Sequence, residues 1–128
     1  MKAEALTRWT IDNSAELYSV RNWGVGYFDI SEKGEVVVKP HGKGSDVSVS
    51  MVSIVEGLKA RGIKMPVLLR FGDILASRIA KLNHCFLNAM AEAGYKGAYR
   101  GVYPVKVNQQ QQVIEDVVAC GREFHYGL

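Results

Sequence analysis

The sequence predicts an α/β chain in which an N-terminal antiparallel β segment precedes alternating strands and helices. Three observations carry this. Residues 27–30 and 36–39 are β-branched or aromatic runs joined by Ser31, Glu32, Lys33 and Gly34, as in a hairpin. Residues 43–46 are glycine, serine and charge, as at a boundary. Beyond them, apolar residues take helical spacing, then a continuous run, and then repeat the sequence. The expected division is a hairpin segment over 1–44 and a strand–helix region over 45–128.

Each element has its own signals. Ser48 is placed to cap a helix whose Met51, Val55 and Leu58 recur at helical spacing, with Gly62 to end it. Pro66 blocks further helix, and residues 67–71 read as a short buried parallel strand. Asp73 is expected to cap the next helix. Its Leu75, Ile79, Leu82, Phe86 and Met90 step along one face, and Gly94 closes it. Residues 101–107 read as a strand. Asn108 with Gln111 resembles a capping box, and Val113, Ile114, Val117 and Val118 form the apolar face of a helix that Gly121 ends. Residues 124–128 start another strand. Strand, helix, strand, helix, strand is the order of a parallel sheet or barrel. A (β/α)₈ barrel needs about 250 residues, so 128 residues hold only its opening units.

Composition narrows the function classes. The net charge of +3 is slight and dispersed, which argues against nucleic acid or an anionic membrane as partner. No apolar run approaches the roughly 20 residues of a membrane span, and there is no signal-peptide h-region. Cys85 and Cys120 lack metal spacing and read as buried reduced thiols of a cytoplasmic protein. Neither Gly24-Val25-Gly26 nor Gly42-Lys43-Gly44-Ser45 completes a phosphate-binding signature.

One residue stands out chemically. On a strand, Tyr103, Val105 and Val107 share one face, while Val102, Pro104 and Lys106 share the other. A lysine on a buried face is rare, and burial disfavours an ammonium ion and frees the amine as a nucleophile. Alternatively the strand is an edge and Lys106 points into water. Pro104 removes one ladder donor, which calls for a bulge or an irregular strand end. His41, His84 and His125 have no spacing suited to a metal or a triad and read as structural, with His125 nearest the site. No metal ligand set is assigned. Arg70 ends a strand, where it could meet an anion or form an ordinary ion pair. Trp23 and Tyr27 read as hairpin core or interface.

The run Gly101-Val102-Tyr103-Pro104-Val105-Lys106-Val107-Asn108-Gln109-Gln110 resembles the lysine motif of the biosynthetic arginine decarboxylases, a pyridoxal-phosphate family with an alanine-racemase-like barrel. Further landmarks stand in the family's order. They are Trp23-Gly24-Val25-Gly26-Tyr27-Phe28-Asp29-Ile30, Val36-Val37-Val38-Lys39-Pro40-His41, Pro66-Val67-Leu68-Leu69-Arg70-Phe71 with Asp73-Ile74-Leu75, and Phe124-His125-Tyr126-Gly127-Leu128. The resemblance runs from about Trp9 to the last residue; Gln111 departs from it, where the family has arginine.

The resemblance implies the N-terminal portion of a (β/α)₈-barrel enzyme that converts L-arginine to agmatine and carbon dioxide in polyamine biosynthesis. It implies Lys106 as the catalytic and cofactor-binding residue, joined to pyridoxal 5'-phosphate as an imine. It also implies magnesium, and a homo-oligomer in the full-length form. Family members are several times longer, so the 128 residues alone are expected to be inactive. The alternatives are a non-catalytic fragment or binding module, or a sister decarboxylase or racemase of the same barrel.

Overall fold

The computed structural model describes residues 8–128, which form two compact units, the first ending at Leu68 and the second spanning Leu69–Leu128. The chain mixes helices with a three-stranded antiparallel sheet.

In the first unit, helices α1 (Ile11–Leu17) and α2 (Val20–Gly24) precede the hairpin. Thr10 starts α1 with a capping box: its hydroxyl accepts from the Asn13 amide at 3.2 Å, and its own amide donates to Asn13 Oδ1 at 2.9 Å. The hairpin forms where the alternation of residues places it. β1 (Phe28–Ile30) pairs antiparallel with β2 (Val36–Val38), with Phe28 opposite Val38. Gly34 takes φ +78° in the connecting turn, a conformation open to glycine at little cost. The sheet continues past residue 44, because β3 (Val49–Ser50) pairs with the other edge of β2. Two residues are too few to leave a period-two signature. Helix α3 (Met51–Ala60) follows, capped by the Ser50 hydroxyl, which accepts from the Ser53 amide at 3.3 Å. The cap is therefore Ser50 rather than Ser48, two residues being taken up by β3. Among the described residues of this unit, Ala15, Val20, Tyr27, Val37 and Val38 are buried apolar side chains, and Pro40 is buried as well. Trp23 is largely exposed, with its ring 5.1 Å from that of Phe28, so it contributes a surface contact rather than core.

The second unit packs α4 (Gly72–Glu92) against α5 (Gln111–Gly121). Ile79, Val113 and Val117 are its buried centre, surrounded by Leu75, Tyr103, Cys120, Phe124 and Tyr126. Both helices lie where their periodicity puts them, but their ends differ from expectation. Phe71, whose side chain carries no capping oxygen, occupies the N-cap of α4, and Asp73 falls in the first turn. Gln110 is the N-cap of α5, while Asn108 Oδ1 accepts from the Gln110 amide at 3.2 Å one step earlier. The buried stripe of α4 is also narrower than its apolar residues suggest. Leu82 and Phe86 are 42% and 46% exposed, and Phe86 stacks on Tyr99 with ring centres 4.1 Å apart. Asn83 takes the buried place beside Ile79, its amide donating to the Ile79 carbonyl at 2.9 Å. Cys85 is exposed and Cys120 half-buried, both as free thiols, so only part of the buried-thiol expectation holds.

Two expected strands are absent. Residues 67–71 join no strand among the described residues, and residues 101–107 form a single parallel bridge, Val102 to Gly127. The bridge preserves the expected order, since a strand, a helix and a parallel neighbour is what α5 connects. It stops at Pro104, which has no N–H to continue it. The Pro104 carbonyl instead accepts from the Val107 amide at 3.0 Å and opens a 3₁₀ turn over Val105–Val107.

Candidate functional site

The turn that bears Lys106 is held at both ends. On its N-terminal side, the Tyr103 amide donates to the Gly127 carbonyl at 2.9 Å, and the Gly127 amide donates to the Gly101 carbonyl at 2.9 Å. On its C-terminal side, the Asn108 amide donates to the Val105 carbonyl at 3.1 Å. Tyr103 packs on the core of the second unit. The backbone of Lys106 is thus fixed while its side chain is exposed. Among the described residues its amine enters no ion pair or side-chain hydrogen bond. This corrects the inward orientation expected of a strand: Val107 is 71% exposed, and the alternation of faces ends at the turn.

A cavity of about 390 Å³ adjoins this turn, with Tyr103 and Asn108 both in its wall. The start of α4 and one face of α5 complete it. Leu75 and Val113 form its apolar part, and Arg70, Arg78 and Asp116 supply charge. Arg70, left open between anion contact and ion pair by its position in the sequence, forms no ion pair among the described residues and lines this cavity. Sequence reasoning missed Arg78 and Asp116. They lie on separate helices, and no linear pattern joins residues 38 positions apart.

Tyr126 closes the back of the turn. Its ring lies against Gly101, where an added Cβ would stand 2.4 Å from it. Burial raises its phenol pKa above that of a free tyrosine, with Tyr99 and Tyr103 adding to the effect. The histidines are not brought together at this turn. His84 meets Phe124 edge-on at 5.3 Å, and His125 is exposed at φ +52° beyond the last 3₁₀ turn, Arg122–Phe124. His41 is exposed in the first unit.

The donor chemistry fits one requirement of an aldehyde cofactor, an unengaged primary amine on a fixed backbone. Among the described residues no three His, Cys, Asp or Glu side chains are grouped to hold a metal ion. No helix among them is long and apolar enough to cross a membrane.

A fixed turn presenting a free amine beside a charged cavity, in a unit of two packed helices with one parallel bridge, defines a lysine-bearing helical module next to a small antiparallel-sheet unit in the sequence. The chain is 53% identical over 120 residues to the biosynthetic arginine decarboxylase of Gloeobacter violaceus, covering 94% of this chain and 18% of that protein. It is 45% identical over 122 residues to that of Thermosynechococcus vestitus, covering 95% of this chain and 19% of the relative. For Bacteroides thetaiotaomicron the identity is 42% over 123 residues, covering 96% and 19%. No protein-family model matches the chain. Over nearly its whole length the chain is homologous to the biosynthetic arginine decarboxylases, and it spans under a fifth of the curated relatives it matches.

Proposed function

We propose that this chain is the N-terminal part of a cytoplasmic, pyridoxal-phosphate-dependent arginine decarboxylase that converts L-arginine to agmatine and carbon dioxide, with Lys106 as the residue that holds the cofactor. The observation that carries this reading is 53% identity across 94% of the chain to a protein named for that activity. The free amine of Lys106 on its fixed turn supports the residue assignment. In this reading residues 1–44 are the N-terminal segment, and residues 45–128 are the first units of a (β/α)₈ barrel whose remainder pairs with residues 67–71. The longer protein is a homo-oligomer, and magnesium is held outside the described residues.

Within this chain the division of labour is simple. Lys106 supplies the amine that carries the cofactor. The bonds of Tyr103, Val107 and Asn108 keep its Cα in place, so that reaching the cofactor orders only the side chain. When bound, pyridoxal phosphate supplies the electron-withdrawing ring that takes up the electron pair left by departing carbon dioxide. Desolvation of the exposed amine falls to the part of the barrel that covers this face. The 128 residues alone would hold the lysine without the rest of a substrate site, and would form no agmatine.

The test is to supply the natural full-length protein and pyridoxal phosphate with arginine, ornithine or diaminopimelate, and to identify the amine formed. Agmatine from arginine, with the other two turned over far more slowly, is the expected outcome. Preference for either of the others would move the protein to a sister enzyme, and no product from any of the three would remove the decarboxylase reading.

A further inference from the structure

We propose that the cavity between the start of α4 and α5 is a binding site for a small zwitterion, an α-amino acid with an apolar side chain. Three charged residues, Arg70, Arg78 and Asp116, line this one space of about 390 Å³. That volume lies in the range of small-molecule sites. Among the described residues none of the three is paired, so opposite charges line the same cavity more than 4.0 Å apart. An anion alone would satisfy the arginines and be repelled by Asp116, and a cation alone would meet the reverse. A zwitterion pairs both signs at once, its carboxylate on the arginines and its ammonium on Asp116.

Geometry places the acid at one end. Asp116 Oδ2 stands 3.7 Å from the position of a Cβ added at Gly72, so the carboxylate lies over the first turn of α4. Most of the remaining wall is apolar or aromatic, with Ile74, Leu75, Val113 and Tyr103, and Asn108 adds one amide. A ligand body of methylene or methyl groups buries there at a gain, whereas a second charged end would have to be desolvated against it. That argues against arginine as the occupant, and sets this site apart from the substrate site of the proposed reaction.

The experiment is calorimetric titration of the natural full-length protein with L-leucine, with 4-methylpentanoate, which lacks the ammonium group, and with isoamylamine, which lacks the carboxylate. Leucine binds, and each analogue binds at least tenfold more weakly. Arg78→Gln and Asp116→Asn, both at exposed positions, each weaken leucine at least tenfold while the far-ultraviolet circular dichroism stays unchanged. Lys106→Ala leaves leucine affinity as it was, so loss of the decarboxylase assignment would not affect this result. Absence of leucine binding, equal binding of leucine and its analogues, equal binding by the variants, or displacement of leucine by an equal concentration of arginine would overturn the proposal.

Discussion

The ring of Tyr126 lies so close to Gly101 that a Cβ added to the glycine would stand 2.4 Å from it. The contact joins the segment leading to Lys106 with the end of the chain, alongside the parallel bridge of Val102 and Gly127. Gly121 faces the same side chain, with an added Cβ 2.8 Å from Tyr126 Cβ. The lysine turn is positioned by a close packing that only small residues permit.

Gly101→Ala should therefore destabilise the second unit by roughly 1–3 kcal/mol, the usual cost of overpacking. In a Tyr126→Ala background the same change should cost much less, because the atoms it meets are gone. Denaturant titration of the four proteins in the cycle measures both. Equal costs in the two backgrounds would contradict the contact.

Neighbouring valines on α5 separate core from surface. Val117 is fully buried and Val118 is 42% exposed. Val117→Ala removes about two methylene equivalents from the core and should cost roughly 2 kcal/mol, whereas Val118→Ala should stay under about 0.5 kcal/mol. Equal shifts in denaturation midpoint would show that the face of α5 is misassigned.

The first unit carries an acid-sensitive pair. Lys39 Nζ donates to Asp29 Oδ2 at 2.9 Å, and this bond holds the Asp29 carboxyl below the usual carboxylate range. A lowered folded-state pKa stabilises the fold above the unfolded pKa, and the gain is lost as pH falls through the folded value. Both side chains are partly exposed, so Asp29→Asn should cost under about 1 kcal/mol at pH 7. The difference from the parent should shrink as pH falls below about 4. Thermal melts at pH 7 and pH 2.5 check this, and a gap of the same size at both would contradict it.

How far the sequence discloses the fold depends on whether a feature is local. The hairpin is legible because two β-branched runs and Gly34 specify it within a dozen residues. Helices α4 and α5 are legible because burial of Ile79, Val113 and Val117 imposes a helical period on the sequence. Strand formation is not local. Residues 67–71 have the composition of a strand, but a ladder needs a neighbouring strand, and among the described residues no ladder includes them. Lys106 is legible as a chemical candidate and not as a position: its orientation depended on a strand that Pro104 ends. Arg78 and Asp116 were hidden because only the packing of α4 on α5 brings them to one cavity.

The central claim is that Lys106 is the amine that carries the cofactor. The most direct measurement is borohydride reduction of the natural full-length protein loaded with pyridoxal phosphate, followed by peptide mass spectrometry. The account predicts one dominant modified peptide, bearing the cofactor on Lys106, and its loss together with agmatine formation in Lys106→Ala. Modification at another lysine with Lys106 untouched, or full activity in the alanine variant, would contradict it.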